Sequence, residues 1–379
     1  MSVPLQRDLN KMKEVLSRWL KTKIKGASAV VIDDIGKVPG AGFVNETLLV
    51  KASWTLAHRA EMKCFVIRIQ PSAFAVIYKV AEFFEDQCRV IKILKEQSSI
   101  PVPTVRWFEK DSNWLGAPFF VYELIPGLTQ PDIPPYFLSG WLHDATPAQQ
   151  EQIWWSAVET VAKINAFDWR KAGLGFLSYG VKPDFDARFH YYLDAFEWAR
   201  GESENPIVEA ARDWLIVHKP DEEEPETLSW GDARLGNLIF RDFKVVGVID
   251  WEMVSLGPPL QDLGWWFWVE RALFGDLHTG NPSDPKSLPG FPSREATLER
   301  WSELTGYSTK HIDFYEVLSG FRLACHLQKM GNLFIELGVA GPESKWASNN
   351  LATQALAAMI GVDHPPPEPL PSLPLPGPG

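Results

Sequence analysis

The apolar pattern of this chain changes character at Pro126–Gly127, and that change limits the folds open to it. Before it, residues 43–54 and 64–70 alternate or run apolar in the manner of strands. Between residues 79 and 97, Val80, Phe84, Ile91 and Leu94 recur at helical spacing. The prolines of "IPVPTV" start an extended segment, because proline pushes the preceding residue out of the helical region. "APFFVYELIPG" then reads as a buried strand ended by Pro126 and Gly127. A leading helix, on which Leu9, Met12, Leu16, Trp19 and Leu20 recur, completes a small α+β unit. Beyond Gly127 the spacing predicts helices near 147–166, 185–200, 206–217, 262–274 and 313–337. The expected division is residues 1–126, a mainly helical part 127–363, and a disordered, polyproline-like tail 364–379.

Charge and cysteine usage narrow the partners. Asp and Glu number 48 against 37 for Lys and Arg, a formal net charge of −11. Such a field repels nucleic-acid phosphate and anionic lipid, so neither nucleic acid nor membrane is an expected partner. The three cysteines, Cys64, Cys88 and Cys325, form no disulfide framework, which fits a reducing compartment. Charged residues interrupt every apolar stretch near the N-terminus. "GWWFWVERALF" is too short to span a bilayer and carries Glu270 and Arg271. A cytoplasmic protein is the expectation.

The chemistry concentrates in "LSWGDARLGNLIF", residues 228–240. Asp232 and Asn237 have the D-x-x-x-x-N spacing of a phosphoryl-transfer loop, with Trp230 where a histidine would stand. Two short apolar runs follow, Leu238–Phe240 and Val245–Ile249, joined by a polar turn, and together they predict an antiparallel hairpin. Its midpoint would bring Asn237 and Asp250 nearly opposite each other, about 5 Å apart. An amide oxygen and a carboxylate at that separation suit Mg²⁺, which completes its shell with phosphate and water. Arg234 would lie near enough to offset charge on a transferring phosphoryl group. The alternative is a plain polar turn before a hairpin.

"SWGDARLGNLIF…VVGVIDWEMVSLGPPLQDLGW" resembles the aminoglycoside phosphotransferase and choline kinase family, itself related to protein kinases. It is most similar to a branch carrying Trp-Gly-Asp-Ala-Arg, some members of which are fused to acyl-CoA dehydrogenase domains. The resemblance runs over about residues 38–330. It implies an α+β, protein-kinase-like bilobal fold with a small β-rich N-lobe and a larger, mainly helical C-lobe. It also implies ATP- and Mg²⁺-dependent transfer of phosphate to a small-molecule hydroxyl. Asp232 matches the catalytic base, Asn237 and Asp250 the metal ligands, and Arg234 the position of a charge-stabilising lysine.

By the same resemblance the first half holds the nucleotide. Gly40, Gly42 and Asn45 match a phosphate-binding turn, and Arg68 stands where the family has a nucleotide-gripping lysine. Its usual glutamate partner aligns near Gln87, which shares a face with Val80, Phe84 and Ile91, while Glu85 lies off that face. Backbone groups near Glu123 and Ile125 match the hinge that meets adenine. Asp262 matches an aspartate that props the catalytic loop, although a helix N-cap is the commoner role for an Asp so placed. Trp230 fills the bracing position and still offers one N–H.

Other enzyme classes find no motif: there is no paired zinc spacing and no G-x-S-x-G elbow. Two rival readings stay open. One is a nucleotide-binding pseudokinase, with Trp230, Arg68 and Gln87 as its departures. The other is a kinase of an aminoglycoside-like polycation. Phe189, Tyr191, Tyr192, Phe196 and Trp198, with Trp265, Trp266 and Trp268, favour an apolar acceptor such as a hydroxyacyl thioester, because amine-rich substrates need several carboxylates to replace their hydration.

Overall fold

The computed structural model describes residues 8–37, 46–71, 75–132, 134–221, 224–274 and 287–371. The chain divides into two compact units, one of Met1–Ala75 with Lys79–Pro126 and one of Val76–Tyr78 with Gly127–Gly379.

The first unit is an antiparallel sheet in the order β1-β2-β3-β5-β4. Its strands are β1 (Ser28–Lys37), β2 (Glu46–Leu56), β3 (Arg59–Ile69), β4 (Val105–Glu109) and β5 (Phe119–Glu123). Helix α1 (Leu9–Lys23) starts at Asp8, whose carboxylate accepts the N–H groups of Asn10 and Lys11. It packs Met12, Leu16, Trp19 and Leu20 against Leu48, Val50, Phe65 and Ile67 of the sheet. Helix α2 (Phe84–Gln97) is shorter than its apolar spacing predicts, because residues 79–83 form turns entered through Lys79 at φ +56°. The edge strand β1 escapes the sequence pattern, since Asp33 and Asp34 break its apolar run.

In the second unit, α3 (Pro147–Asn165), α4 (Phe185–Arg200) and α5 (Pro206–Val217) form where the spacing placed them. A Thr146–Gln149 capping box and Pro147 open α3. Two antiparallel pairs carry the motif region: β6 (Thr227–Ser229) with β9 (Ser255–Gly257), and β7 (Leu238–Arg241) with β8 (Lys244–Val248). Helix α6 (Gln261–Val269) runs into a π-helical turn, Glu270–Phe274. Helix Ile312–Glu336 follows its predicted span, whereas helices Arg294–Thr305 and Leu351–Ile360 were not anticipated. The start of the proline-rich segment is held in place: Asn349 donates to the Pro366 carbonyl at 2.7 Å and Lys345 N–H to Glu368 at 2.9 Å. The rest of that segment, 372–379, lies outside the described residues. No described helix is long and apolar enough to cross a membrane.

Helix α6 meets helix Ile312–Glu336 at Gly264, where an added Cβ would stand 2.6 Å from the Tyr315 carbonyl carbon. That distance is inside van der Waals contact with backbone, so the helices must separate to admit a methyl. Gly264→Ala should therefore destabilise the protein by about 2–3 kcal/mol or more, which denaturant titration measures. An unchanged midpoint would mean that the helices tolerate separation. At the end of α6, the Tyr136 hydroxyl donates to Glu270, yet burial pushes the Glu270 carboxyl up from 4.5 to about 7. The folded state keeps this proton to higher pH than the unfolded chain, so its contribution is complete below 4.5 and is lost as pH rises through about 7. Melting temperatures across that window should fall less in Glu270→Gln than in the wild type.

Candidate active site

The loop after β6 has neither helical nor strand partners for its backbone, and one carboxylate supplies them. Asp262, fully buried, accepts from the N–H groups of Trp230 and Gly231 and the hydroxyl of Ser229, each at 2.8 Å. Asn165 of α3 adds a fourth hydrogen bond at 2.7 Å. Asp262 is not the N-cap of α6: Leu260 occupies that position and no side chain caps the helix. The N-cap role expected from local sequence gives way to a tertiary one.

Trp230 is likewise fully buried, and its indole N–H points at the carbonyls of Ile249 (3.0 Å) and Asp250 (3.2 Å). It ties the loop to the segment carrying Asp250. Gly231 sits at φ +92°, with the Met253 carbonyl oxygen 2.1 Å from where a Cβ would be. Only glycine fits there on both counts.

Asp232 is 8% exposed and accepts three donors. The Trp265 indole N–H reaches Oδ1 at 2.7 Å. The Asn237 amide reaches Oδ2 at 2.6 Å, and Arg234 Nε reaches it at 3.3 Å. Asn237 Nδ2 also donates to the Asp232 carbonyl at 3.1 Å, which leaves the amide oxygen out of these contacts. Among the described residues that oxygen accepts no hydrogen bond. Arg234 bridges Asp232 to Asp132, and Gly236 makes room for it, since a Cβ there would meet its guanidinium at 2.5 Å. Burial weakens a guanidinium's hold on its proton, but Asp232, Asp132 and Asp250 together raise Arg234 above its ordinary value. Its charge is thus matched by carboxylates of the same loop region.

The β7–β8 hairpin forms, with a register one residue away from the expected one. The turn is the two-residue Asp242–Phe243, both at positive φ, and an irregularity next to Ile239 absorbs one further residue. Asn237 therefore faces Ile249, whose N–H donates to its carbonyl at 3.0 Å, and Asp250 lies one position beyond. Asp250 leaves the strand at φ +60°, so strand alternation does not dictate which way it faces.

The residues matched to nucleotide binding lie in the first unit. Arg68, 6% exposed, sits on interior strand β3 between Thr47 and Phe120, which excludes an exposed edge position. Gln87 points inward as expected, and its amide nitrogen has no hydrogen-bond partner among the described residues. Glu85 is exposed and pairs with Lys110 at 2.8 Å. The Glu123 carboxylate is held by Arg106 and its N–H by the Thr104 carbonyl. Ile125, past the end of β5, makes no backbone hydrogen bond among the described residues. Gly40, Gly42 and Asn45 lie outside the described residues.

A model of a phosphotransferase enzyme family matches residues 41–281. The chain belongs to that family. Among curated proteins it is similar to acyl-CoA dehydrogenase family member 10 of Mus musculus, 29% identical over 268 residues, 69% of this chain and 24% of that protein. It is also similar to family member 11 of Pongo abelii, 26% identical over 246 residues, 62% of this chain and 30% of that protein. The chain thus spans about a third or less of the length of these two relatives. In fold it resembles a putative aminoglycoside phosphotransferase of Ralstonia eutropha, with TM-score 0.64 at 21% identity, covering 92% of this chain and 95% of that one. Choline kinase LicA of Streptococcus pneumoniae gives TM-score 0.54 at 14% identity, covering 93% and 99%. The fold is shared with these solved proteins, and the family is one of phosphotransferase enzymes.

Sequence reasoning missed three residues that shape the phosphotransferase loop. Trp265 lies three residues after Asp262, on the same face of α6, so a loop-facing Asp262 already implied it. Arg322, a buried cation within an apolar helix, donates to the Gly231 carbonyl at 3.0 Å. Asp132 carries no sequence signal that would pair it with Arg234. The brace at Trp230 is open to a direct test. Trp230→Phe should keep the packing and lose about 1–2 kcal/mol, because two carbonyls are left without their donor. Trp230→Ala should lose about 3–5 kcal/mol, and calorimetry should rank the two in that order.

Proposed function

We propose that this phosphotransferase moves the γ-phosphate of ATP onto the hydroxyl of a small molecule, with Asp232 as the base. The observation that supports this best is the Asp232 carboxylate itself: buried, fixed by three donors, and presented by a loop that Asp262 holds rigid. Such a group is oriented to take up the proton that an acceptor hydroxyl sheds. Trp265 and Asn237 fix its direction, and Arg234 helps hold it in place. Asn237 and Asp250 are our candidates for Mg²⁺. Hard oxygen donors fit that ion, and the Asn237 amide oxygen accepts no hydrogen bond among the described residues. Among the described residues no cluster of three or more His, Cys, Asp or Glu side chains forms a metal cage. A two-ligand site completed by phosphate and water agrees with that. When bound, Mg²⁺–ATP supplies the phosphoryl group and offsets its charge.

In this reading Arg68 holds nucleotide phosphate, Ile125 and the backbone near Glu123 meet adenine, and Gly40, Gly42 and Asn45 form the phosphate turn. Three free cysteines support a reducing, cytoplasmic setting. The curated relatives carry acyl-CoA dehydrogenase names, which supports a hydroxyacyl compound as acceptor over an aminoglycoside. Trp230 is compatible with a working loop, because its indole braces the loop, while Arg68 and Gln87 stay as the departures on which the pseudokinase alternative rests.

Asp232→Asn should lower transfer by about 10²–10⁴-fold while nucleotide affinity stays near wild type. Asn237→Ala and Asp250→Ala should both raise the Mg²⁺ concentration needed for turnover, Asp250→Ala the more. Transfer by Asp232→Asn at wild-type rates would refute the assignment of the base.

A further inference from the structure

The helical unit contains a narrow cleft, a cavity of about 20 Å³ that opens to solvent, which the loop chemistry leaves unexplained. Arg188, Arg322, Tyr78, Tyr191, Tyr192 and His326 are among its lining residues. Both arginines lack a carboxylate partner among the described residues. Arg188 donates through Nε to the Tyr192 hydroxyl at 3.1 Å and stacks over the Tyr191 ring at 4.3 Å. Arg322 is only 4% exposed; its Nη2 holds the Gly231 carbonyl, and its Nε has no hydrogen-bond partner among the described residues. It also lies over the rings of Tyr192 (4.9 Å) and Trp265 (4.6 Å). Asp262, the carboxylate that braces the loop, directs both oxygens to Asn165, Ser229, Trp230 and Gly231.

Two enclosed guanidinium groups without counter-ions are expensive to desolvate, and ring faces offset only part of that cost. His326 adds no positive charge at neutral pH, since burial and then Arg322 push it down to about 4. Tyr192 registers the field, since Arg188 and Arg322 overcome its burial and lower it, whereas burial prevails at Tyr191 and pushes it up to about 12. The cleft also adjoins the proposed base. Arg322 binds the residue before Asp232, and Trp265 touches Arg322 on its ring and Asp232 through its N–H.

We propose that Arg188 and Arg322 form an anion subsite of the acceptor pocket, so that the hydroxyl compound this enzyme phosphorylates carries a carboxylate or phosphate group of its own. This rests on Asp232 as the base. A free hydroxy acid or a phosphorylated polyol supplies the missing counter-charge, with two planar guanidinium donors suited to either group. A polycationic sugar would meet two like charges instead.

The test is calorimetric titration of the full-length protein without nucleotide, using two matched pairs: β-hydroxybutyrate with β-hydroxybutyramide, and glycerol phosphate with glycerol. At least one anion should bind about tenfold or more tightly than its neutral partner, the discrimination expected of a charge-assisted contact. Which pair shows the gap tells carboxylate from phosphate. The gap should shrink below about threefold in Arg188→Gln, and in Arg322→Gln if that variant retains its fold. Equal or absent binding of anion and neutral partner in the wild type, or a gap unchanged in Arg188→Gln, overturns the subsite. Adding Mg²⁺–ATP separates this from the proposed function. An anion that binds but is never phosphorylated counts against the transfer reading alone, whereas transfer to neutral alcohols without anion preference counts against the subsite alone.

Discussion

One carboxylate satisfies the backbone of a segment that has no regular structure of its own. Buried N–H groups outside helices and sheets must find acceptors, and an unpaired one costs about 1–3 kcal/mol. Asp262 takes two consecutive N–H groups and a hydroxyl from Ser229, Trp230 and Gly231, and this holds the turn from which Asp232 emerges. The dependence continues outward. Asn165, which donates to Asp262, itself accepts the indole N–H of Trp301, so helix α3 and helix Arg294–Thr305 are tied into the same network. The close approach at Gly264 keeps α6, and with it Asp262 and Trp265, in fixed register on helix Ile312–Glu336.

Indole groups do the second layer of positioning, and their chemistry suits it. An indole N–H donates and never accepts, and it does not titrate in water. Trp265 can therefore hold the Asp232 carboxylate at 2.7 Å without competing for the proton that carboxylate is proposed to receive. A histidine in the same place would add a second titrating group. Trp230 applies the same property to the backbone, donating toward two carbonyls and leaving no lone pair to satisfy in a dry environment.

Much of this was legible in the sequence, and the parts that were not have identifiable physical causes. Short apolar runs separated by polar turns revealed the β7–β8 pair, because strand alternation is a local property. The register was off by one residue because Phe243 adopts positive φ, a conformation that bulky side chains rarely take. Local sequence favoured a cap at Asp262, because capping is judged from neighbours in sequence, whereas the family resemblance had matched it to the loop it holds. Yet every residue of α6 is buried, and a buried Asp in such a helix needs several donors from elsewhere. Asp132 was invisible, since only the folded chain brings it to Arg234, some hundred residues away.

Net charge gave the poorest guide to the cleft. A chain with formal charge −11 suggests an environment tolerant of cations, but what a ligand meets is the local field in a low-dielectric pocket. There the acidic side chains are already committed: Asp232 and Asp132 to Arg234, and Asp262 to the loop. Among the described residues, Arg188 and Arg322 are cations bonded only to neutral groups, a hydroxyl and a backbone carbonyl. Carboxylates that serve the loop cannot also neutralise these arginines without releasing their own donors. The same hydrogen bonds that hold the loop therefore keep these carboxylates from Arg188 and Arg322, and in the proposed subsite a cationic acceptor would meet two like charges.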